Sequence, residues 1–152
     1  MVLSPDSNLP LHKDHIEKLI PHSGAMCLLD RVDYWDENSI RCAASSHQDP
    51  ENPLRLDGEL SSIHLLEYGA QAMAIHGNLL SKATTPGVLA AVRDVVMTID
   101  TLDDINDEII ITANVEINTP TGAIYQFTIT DLNQNMLLKA RVTVINNLAQ
   151  AT

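Results

Sequence analysis

The stretch LSSIHLLEYGAQAMAIHGNLLS, residues 60–81, decides the fold. Glu67 is its only fully ionised side chain, and apolar side chains occur on all sides of the helix that their spacing predicts. At the usual rise per residue this helix is roughly 33 Å long. The stretch is not predicted to span a membrane, because histidine, asparagine and glutamine interrupt it and no basic anchors flank it. The pattern predicts a core helix, against which strands pack closely at small residues such as Gly69 and Gly77.

Segments with strand-like patterns lie on both sides of this helix. In the clearest of them, apolar residues alternate with polar ones. The predicted strands are residues 26–34, 39–46, 87–99, 108–118, 123–132 and 137–145, and a short amphipathic helix precedes them at residues 12–20. Residues 47–58 and the acidic residues 100–107 are predicted loops, the second solvated and without a function. The sum is one α+β domain over residues 1–152, with its core at about 12–146 and an antiparallel sheet of about six strands wrapped round a long central helix.

The composition excludes several classes of function. The chain has 152 residues, with 9 Lys and Arg against 20 Asp and Glu, and its formal net charge of −11 excludes a binder of nucleic-acid phosphates. One Trp, one Phe and three Tyr leave little for stacking on bases or sugars, so an aliphatic ligand suits the composition better. Cys27 and Cys42 predict buried, reduced thiols. Because no secretory signal or lipid anchor is visible at the N-terminus, we expect a cytoplasmic protein.

Glu67 is the residue that points most directly to function. A carboxylate in a helix that is apolar all round is paired, protonated or used in chemistry, and a buried carboxyl group suits a general acid or base. Two alternatives remain for this side chain. It lies in a surface groove, or it forms a buried ion pair with Arg31, Arg41 or Arg93.

Two histidines are further candidates for catalysis. His64 lies three residues before Glu67, so the two side chains lie near one face of the predicted helix and either act as a pair or simply hydrogen-bond. His47 stands where a predicted strand gives way to a loop, a place from which catalytic groups are often delivered, although a solvated turn histidine also fits. We interpret the others as structural, namely His12, His15, His22 and His76. No metal-ligand spacing occurs among the six histidines, so no metal site is predicted.

The start of the helix offers backbone donors. Ser61 and Ser62 are candidate N-caps, and the N–H groups of Ser62 and Ile63 would then face a ligand carbonyl at the positive end of the helix dipole. Such an arrangement is an oxyanion hole. The chain has neither a glycine-rich phosphate loop nor a GxSxG nucleophile.

Several segments resemble the β-hydroxyacyl-[acyl-carrier-protein] dehydratases of the hotdog fold, most closely the divergent branch that accompanies aryl-polyene pigment gene sets. The matching segments, spread over about residues 12–146, are Leu19-Ile20-Pro21-His22, Cys27-Leu28-Leu29-Asp30-Arg31-Val32, Ile40-Arg41, Asn52-Pro53-Leu54 and Leu65-Leu66-Glu67-Tyr68-Gly69-Ala70-Gln71-Ala72. In that family the last segment is the central helix, with an acid followed four residues later by Gln, as Glu67 is by Gln71. Gln71 thereby joins Ser62 and Ile63 as a candidate substrate-binding residue.

The resemblance implies a hotdog dimer with acyl tunnels at the subunit interface, formed by two copies of one chain or by two related dehydratase subunits. Its substrate is a 3-hydroxyacyl chain linked through phosphopantetheine to acyl carrier protein, and its product is the trans-2-enoyl thioester of fatty-acid or polyene biosynthesis. In the family a His removes the α-proton and a Glu or Asp handles the leaving hydroxyl, and the two residues come from different subunits. No metal or organic cofactor is implied, because backbone N–H groups polarise the thioester.

The chain departs from this family at the catalytic histidine. The family's Gly-His-Phe-Pro segment is replaced here by Asp57-Gly58-Glu59-Leu60. Glu67 can therefore be carried over from the family, whereas the base cannot. The candidates to replace that base are His47, His64 and Glu59.

Three functions are compatible with these residues. The main prediction is a dehydratase with a relocated base. The alternatives are a hotdog thioesterase, in which Glu67 activates water against the thioester, and a non-catalytic subunit that contributes half of a composite dehydratase site. An acidic carrier protein would need a local basic patch on this acidic chain, and the candidate residues for it are Arg41, Arg55, Lys82 and Arg93.

Overall fold

The computed structural model of the chain describes residues 9–81 and 87–146. Its strands are β1 (Leu11–His12), β2 (Arg31–Trp35), β3 (Ser39–Ala44), β4 (Gly87–Met97), β5 (Ile109–Thr119), β6 (Gly122–Thr130) and β7 (Met136–Asn146). Its α-helices are α1 (Lys13–Ile16) and α2 (Leu65–Ser81), and short 3₁₀ turns lie at Gly24–Met26, Ser46–Gln48 and Ser62–His64.

The strands form one antiparallel sheet in the order β1-β2-β3-β5-β6-β7-β4. Helix α2 packs against β3, β5 and β6, in the middle of the sheet. Of the described strands, β4 pairs only with β7 and so forms one edge. The predicted α+β architecture and the meander of the last three strands are confirmed, with seven strands rather than about six.

The first predicted helix, residues 12–20, is confirmed only in part. α1 covers four residues, and His12 pairs with Arg31 in the sheet instead. Ile16 and Ile20 are both buried in the core, as an amphipathic helix would bury them. Over so short a stretch, the spacing of apolar residues therefore predicts which side chains are buried but not how long the helix is.

The strand predicted over residues 26–34 begins only at Arg31. Before it, the carbonyl of Met26 accepts a hydrogen bond from the side-chain amide of Gln71 at 2.7 Å. The backbone N–H of Leu28 donates to the oxygen of the same amide at 2.9 Å. A side chain of α2 thus takes the place that a neighbouring strand would have, which an apolar pattern does not reveal.

The acidic segment 100–107 is a loop, as predicted, but it is fixed to the start of α2 rather than solvated throughout. The N–H of Ser62 donates to the carbonyl of Asp100 at 2.8 Å, and the N–H of Leu102 donates to that of Leu60 at 2.9 Å. The side chain of Leu102 is buried in the core. Because these bonds hold the chain outside α-helical geometry, α2 begins later than the sequence predicts.

The core lies between α2 and the sheet. Its largest fully buried side chains include Trp35, Tyr68 and Phe127. Cys27 and Cys42 are buried free thiols, as predicted. Burial raises the pKa of both thiols, so both remain protonated at neutral pH.

Gly69 allows α2 to pack closely against the sheet. A Cβ added at Gly69 would lie 2.4 Å from the buried ring of Phe127, whereas one added at Gly77 would meet nothing within 4 Å. We expect Gly69→Ala to lower the free energy of unfolding by about 1–3 kcal/mol, because the ring has to move. Gly77→Ala is the matched control and should raise it by up to about 1 kcal/mol, because alanine is the better helix former. Equal urea-denaturation midpoints for the two variants would contradict the close packing at Gly69.

Candidate active site

Glu67 lies in the first turn of α2 with its side chain 36% exposed. This exposure fits the surface-groove alternative and not the buried ion pair. Ile63, Ala70 and Ala74 follow the same helical stripe and are also exposed or half-buried. The helix therefore has apolar residues on all sides, but one of these sides is exposed. No described part of the chain covers this stripe.

Arg31, one of the predicted ion-pair partners of Glu67, is bound elsewhere. Its guanidinium contacts the carboxylate of Glu108 at 2.8 Å and that of Asp33 at 2.7 Å. These contacts hold the pKa of Glu108 below its usual value and join β2 to the start of β5. The carboxylate of Glu67 thus has no contact with Arg31 in the described part of the chain.

Two side chains contact the carboxylate of Glu67, both at the same oxygen. Nε2 of His22 lies 3.5 Å from Oε1, and Nε2 of Gln71 lies 3.4 Å from it. Within the described ranges, no hydrogen bond reaches the other oxygen, Oε2. The carboxyl group is held on one side and left free on the other, which is what a group that exchanges a proton with a ligand requires.

Gln71, a predicted substrate-binding residue, is 1% exposed and bonded within the protein. Its amide donates to the carbonyl of Met26 and accepts from the N–H of Leu28. Its remaining contact is the one with Glu67. Gln71 therefore ties the segment after His22 to the helix and stands behind the acid.

His22 is the site residue that the sequence reasoning missed. In the sequence it follows Pro21 between the first predicted helix and the first predicted strand, a place that by default predicts a structural histidine. The two are brought together when Gln71 binds the backbone just after His22, at Met26 and Leu28. The Pro-His pair within the family resemblance was the available signal, but nothing in it points to the acid.

His47, the first candidate for the base, is fully buried at the end of β3. Its Nε2 lies 3.1 Å from the carbonyl oxygen of Ile105, so the ring turns toward the acidic loop. Burial lowers the pKa of His47 and so favours the neutral ring. No contact between His47 and the carboxylate of Glu67 is present in residues 9–81 and 87–146.

The burial of His47 and His76 predicts that acidification destabilises the fold. Burial lowers the pKa of both rings, and the unfolded chain binds their protons below about pH 6.5. The unfolded state then holds more protons, so the free energy of unfolding falls as the pH drops from about 7 to about 5. Urea-denaturation midpoints over this range measure the loss, and His76→Gln should reduce it. A midpoint that stays constant across this window would contradict the prediction.

The remaining predicted site residues, Ser62, Ile63 and His64, lie at the start of α2. The backbone N–H groups of Ser62 and Ile63 already donate hydrogen bonds within the chain. Ser61 caps the helix by accepting from the N–H of Ile63 at 3.4 Å, and the N–H of Ser62 donates to the carbonyl of Asp100 at 2.8 Å. His64 lies at the end of the 3₁₀ turn that precedes α2, three residues before Glu67. In the described chain His64 makes no contact with that carboxylate.

The predicted basic residues do not form one patch. Arg55 is engaged by Asp103 at 2.6 Å and by the carbonyl of His47 at 2.7 Å. Arg41 on β3 and Arg93 on β4 are exposed, but three strands separate them in the sheet. Lys82 lies outside the described residues.

Metal-binding and membrane-spanning features were sought in residues 9–81 and 87–146. No group of three or more His, Cys, Asp or Glu side chains is placed to hold a metal ion. No helix in these ranges is long and apolar enough to cross a membrane.

Comparison with protein families and solved structures gives consistent matches. The family described as ApeP-like, ApeP dehydratase, matches residues 14–152. The dehydratase heterocomplex ApeI:P from Xenorhabdus doucetiae is similar in structure, with a TM-score of 0.76 and 19% identity over 90% of this chain and 95% of that chain. A search among curated proteins finds no significant match.

Other solved structures share the fold at lower identity. Zebrafish thioesterase superfamily member 2 has a TM-score of 0.66 and 16% identity over 89% of this chain and 95% of that chain. AziG from S. sahachiroi has a TM-score of 0.60 and 12% identity over 78% of this chain and 90% of that chain. These likenesses confirm the predicted hotdog fold.

Proposed function

The chain belongs to the ApeP-like dehydratase family, and we propose that it supplies the acid, Glu67, to a composite dehydratase site that a second, related subunit completes. The substrate is a 3-hydroxyacyl thioester of acyl carrier protein, and the product is the trans-2-enoyl thioester. The observation that carries the proposal is the half-exposed carboxyl group of Glu67. It is held at one oxygen by His22 and Gln71.

The chemistry divides between two groups. A base removes the proton at C2, and the electrons of that C–H bond form the new double bond as the C3–O bond breaks. The protonated carboxyl group of Glu67 gives its proton to the departing hydroxyl, which leaves as water. Glu67 is then a carboxylate and the base carries the proton from C2. Exchange with solvent restores both groups for the next turnover.

The chain lacks a base at the required place. Among the described residues, neither His47 nor His64 contacts Glu67, and His47 is buried with its ring turned to Ile105. The catalytic histidine of the resembled family has no counterpart here. A second copy of this chain brings the same Asp57-Gly58-Glu59-Leu60 segment, which holds no histidine, so a different subunit is the better source of the missing base.

A surface suited to such a subunit reaches the start of α2, the helix that carries Glu67. β4 is a free edge of the sheet within the described strands, and its exposed apolar side chains are Val88, Leu89, Val95, Val96 and Met97. The sulfur of Met97 accepts a hydrogen bond from Ser62 at 3.7 Å, so this edge ends at the start of α2. The half-exposed stripe of Ile63, Ala70 and Ala74 on α2 adds small apolar groups around the acid. An edge strand with apolar side chains is a ready site for pairing with another chain.

Charge also favours a different subunit over a second copy. Each chain carries a net charge of −11, so two copies together carry −22 and repel one another at long range. The similar solved structure ApeI:P is by its name a dehydratase heterocomplex. We therefore propose a partner corresponding to ApeI, here called the ApeI-type partner, which brings the histidine base to Glu67.

Mass spectrometry of a carrier-linked 3-hydroxyacyl thioester tests the proposed function. The substrate is incubated with the purified complex of this chain and its ApeI-type partner, and the acyl group is weighed while still attached to the carrier. We expect loss of one water from the attached acyl group. Release of the free hydroxy acid would instead identify a thioesterase, and an unchanged thioester would overturn the proposal.

A further inference from the structure

We infer that His22 is a positioning residue for Glu67: its Nε2–H holds Oε1, so that Oε2 faces the substrate hydroxyl. This inference rests on the proposed function and assigns a role to a residue that the sequence reasoning left as structural. The contact joins two half-buried side chains, His22 at 33% and Glu67 at 36% exposure, over 3.5 Å.

The environment of the second ring nitrogen fixes which nitrogen carries the proton. Nδ1 of His22 is buried and has no hydrogen-bond partner among the described residues. A proton on Nδ1 would be a buried N–H without an acceptor, which costs about 1–3 kcal/mol. The neutral ring therefore carries its proton on Nε2, the nitrogen that faces Glu67.

The two contacts of Glu67 meet at one oxygen, Oε1, and come from two different segments of the chain. Gln71 approaches from the next turn of α2, and His22 approaches from the segment that precedes β2. Gln71 is itself fixed by Met26 and Leu28, and these bonds attach to α2 the segment that follows His22. With Oε1 held by two donors, rotation of the carboxyl group is restricted and Oε2 keeps one orientation.

His22 acts through Glu67 in this arrangement and does not itself touch the substrate. Its removal should therefore lower kcat and leave KM nearly unchanged, because the substrate is still bound but the proton donor is poorly oriented. A residue that only fills space would behave differently. It would be replaced successfully by any side chain of the same volume.

Two substitutions separate these roles. His22→Gln places an amide N–H near the position of Nε2, and His22→Phe keeps a ring without a donor. In the complex with the ApeI-type partner we expect His22→Phe to lower kcat roughly 10- to 100-fold, the usual effect of losing a hydrogen bond to a charged group, because Glu67 becomes a carboxylate as it gives up its proton. His22→Gln should keep kcat within about fivefold of the original. Both variants should melt close to the unaltered chain, since His22 is partly exposed. A fully active His22→Phe together with an inactive His22→Gln would overturn the inference.

A second measurement decides the inference without using activity. Nitrogen-15 NMR of the histidine rings in the purified chain reports which nitrogen is protonated. We expect His22 to carry its proton on Nε2 both in the unaltered chain and in Glu67→Leu, because Nδ1 stays buried without an acceptor, and we expect the Nε2 chemical shift to move in Glu67→Leu, because the oxygen it faces is lost. A proton on Nδ1, or an Nε2 shift that does not respond to Glu67→Leu, would overturn the inference. If the complex releases no water at all, the proposed function fails, and the NMR result still decides whether His22 donates to Glu67.

Discussion

Glu67→Gln should lower the rate of water loss by the complex about 10²–10⁴-fold, the usual range for loss of a general acid. The amide keeps the shape of the side chain and its contacts with His22 and Gln71, but it cannot transfer a proton to the departing hydroxyl. Because Glu67 is half exposed, the substitution should leave the melting temperature of the chain nearly unchanged. Initial rates of enoyl-thioester formation measure the effect.

Glu59→Gln is the matched control for this prediction. Glu59 is another acid shortly before α2, it is exposed to solvent, and it is one of the candidates that the sequence offers for the missing base. Its substitution should leave the rate within about twofold, as expected for a surface residue away from the reacting atoms. A large loss of rate in Glu59→Gln combined with an active Glu67→Gln would contradict the assignment of the acid.

Gln71→Leu should be the most destabilising single substitution near the site. It leaves the buried N–H of Leu28 and the half-buried carbonyl of Met26 without their partner. Each unpaired group costs about 1–3 kcal/mol, so the free energy of unfolding should fall by about 2–6 kcal/mol. The segment that carries His22 should also lose its attachment to α2. Urea denaturation measures the first effect, and the NMR signals of the His22 ring measure the second.

Gln126→Leu provides the control for the loss of an amide. Gln126 lies on β6, is half-buried, and makes no side-chain hydrogen bond with the described residues. Its substitution should change the free energy of unfolding by no more than about 0.5 kcal/mol. Equal stability of Gln71→Leu and Gln126→Leu would show that the amide of Gln71 does not hold residues 26–28.

The parts of the fold that could be predicted from sequence are those in which one periodic pattern extends over many residues. α2 and strands β5 to β7 are of this kind, and their positions are confirmed within a few residues. The segment before β2 could not be predicted, because its backbone pairs with the side chain of Gln71 rather than with a strand. The late start of α2 could not be predicted for a similar reason, because the N–H of Ser62 donates its hydrogen bond to the carbonyl of Asp100 in a distant loop.

The acid of the candidate site could be predicted from the sequence, but the residues that surround this acid could not. Glu67 stands out because it is the only fully ionised side chain in a long apolar stretch. Its exposure could not be derived, since an apolar stripe of small residues looks the same whether the domain's own sheet or another chain covers it. His22 was missed because the contact depends on how Gln71 folds the backbone around residues 26–28.

The central claim is that this chain supplies an acid to a site whose base comes from another subunit, and a titration tests it most directly. The rate of enoyl-thioester formation is measured at a fixed concentration of this chain while the ApeI-type partner is added in steps, and the rate of the partner alone is subtracted. The account predicts no water loss without the partner, a rate that rises until the two chains are equimolar, and no rise when this chain carries Glu67→Gln. Full activity of this chain alone, or activity that rises equally with Glu67→Gln, would contradict it.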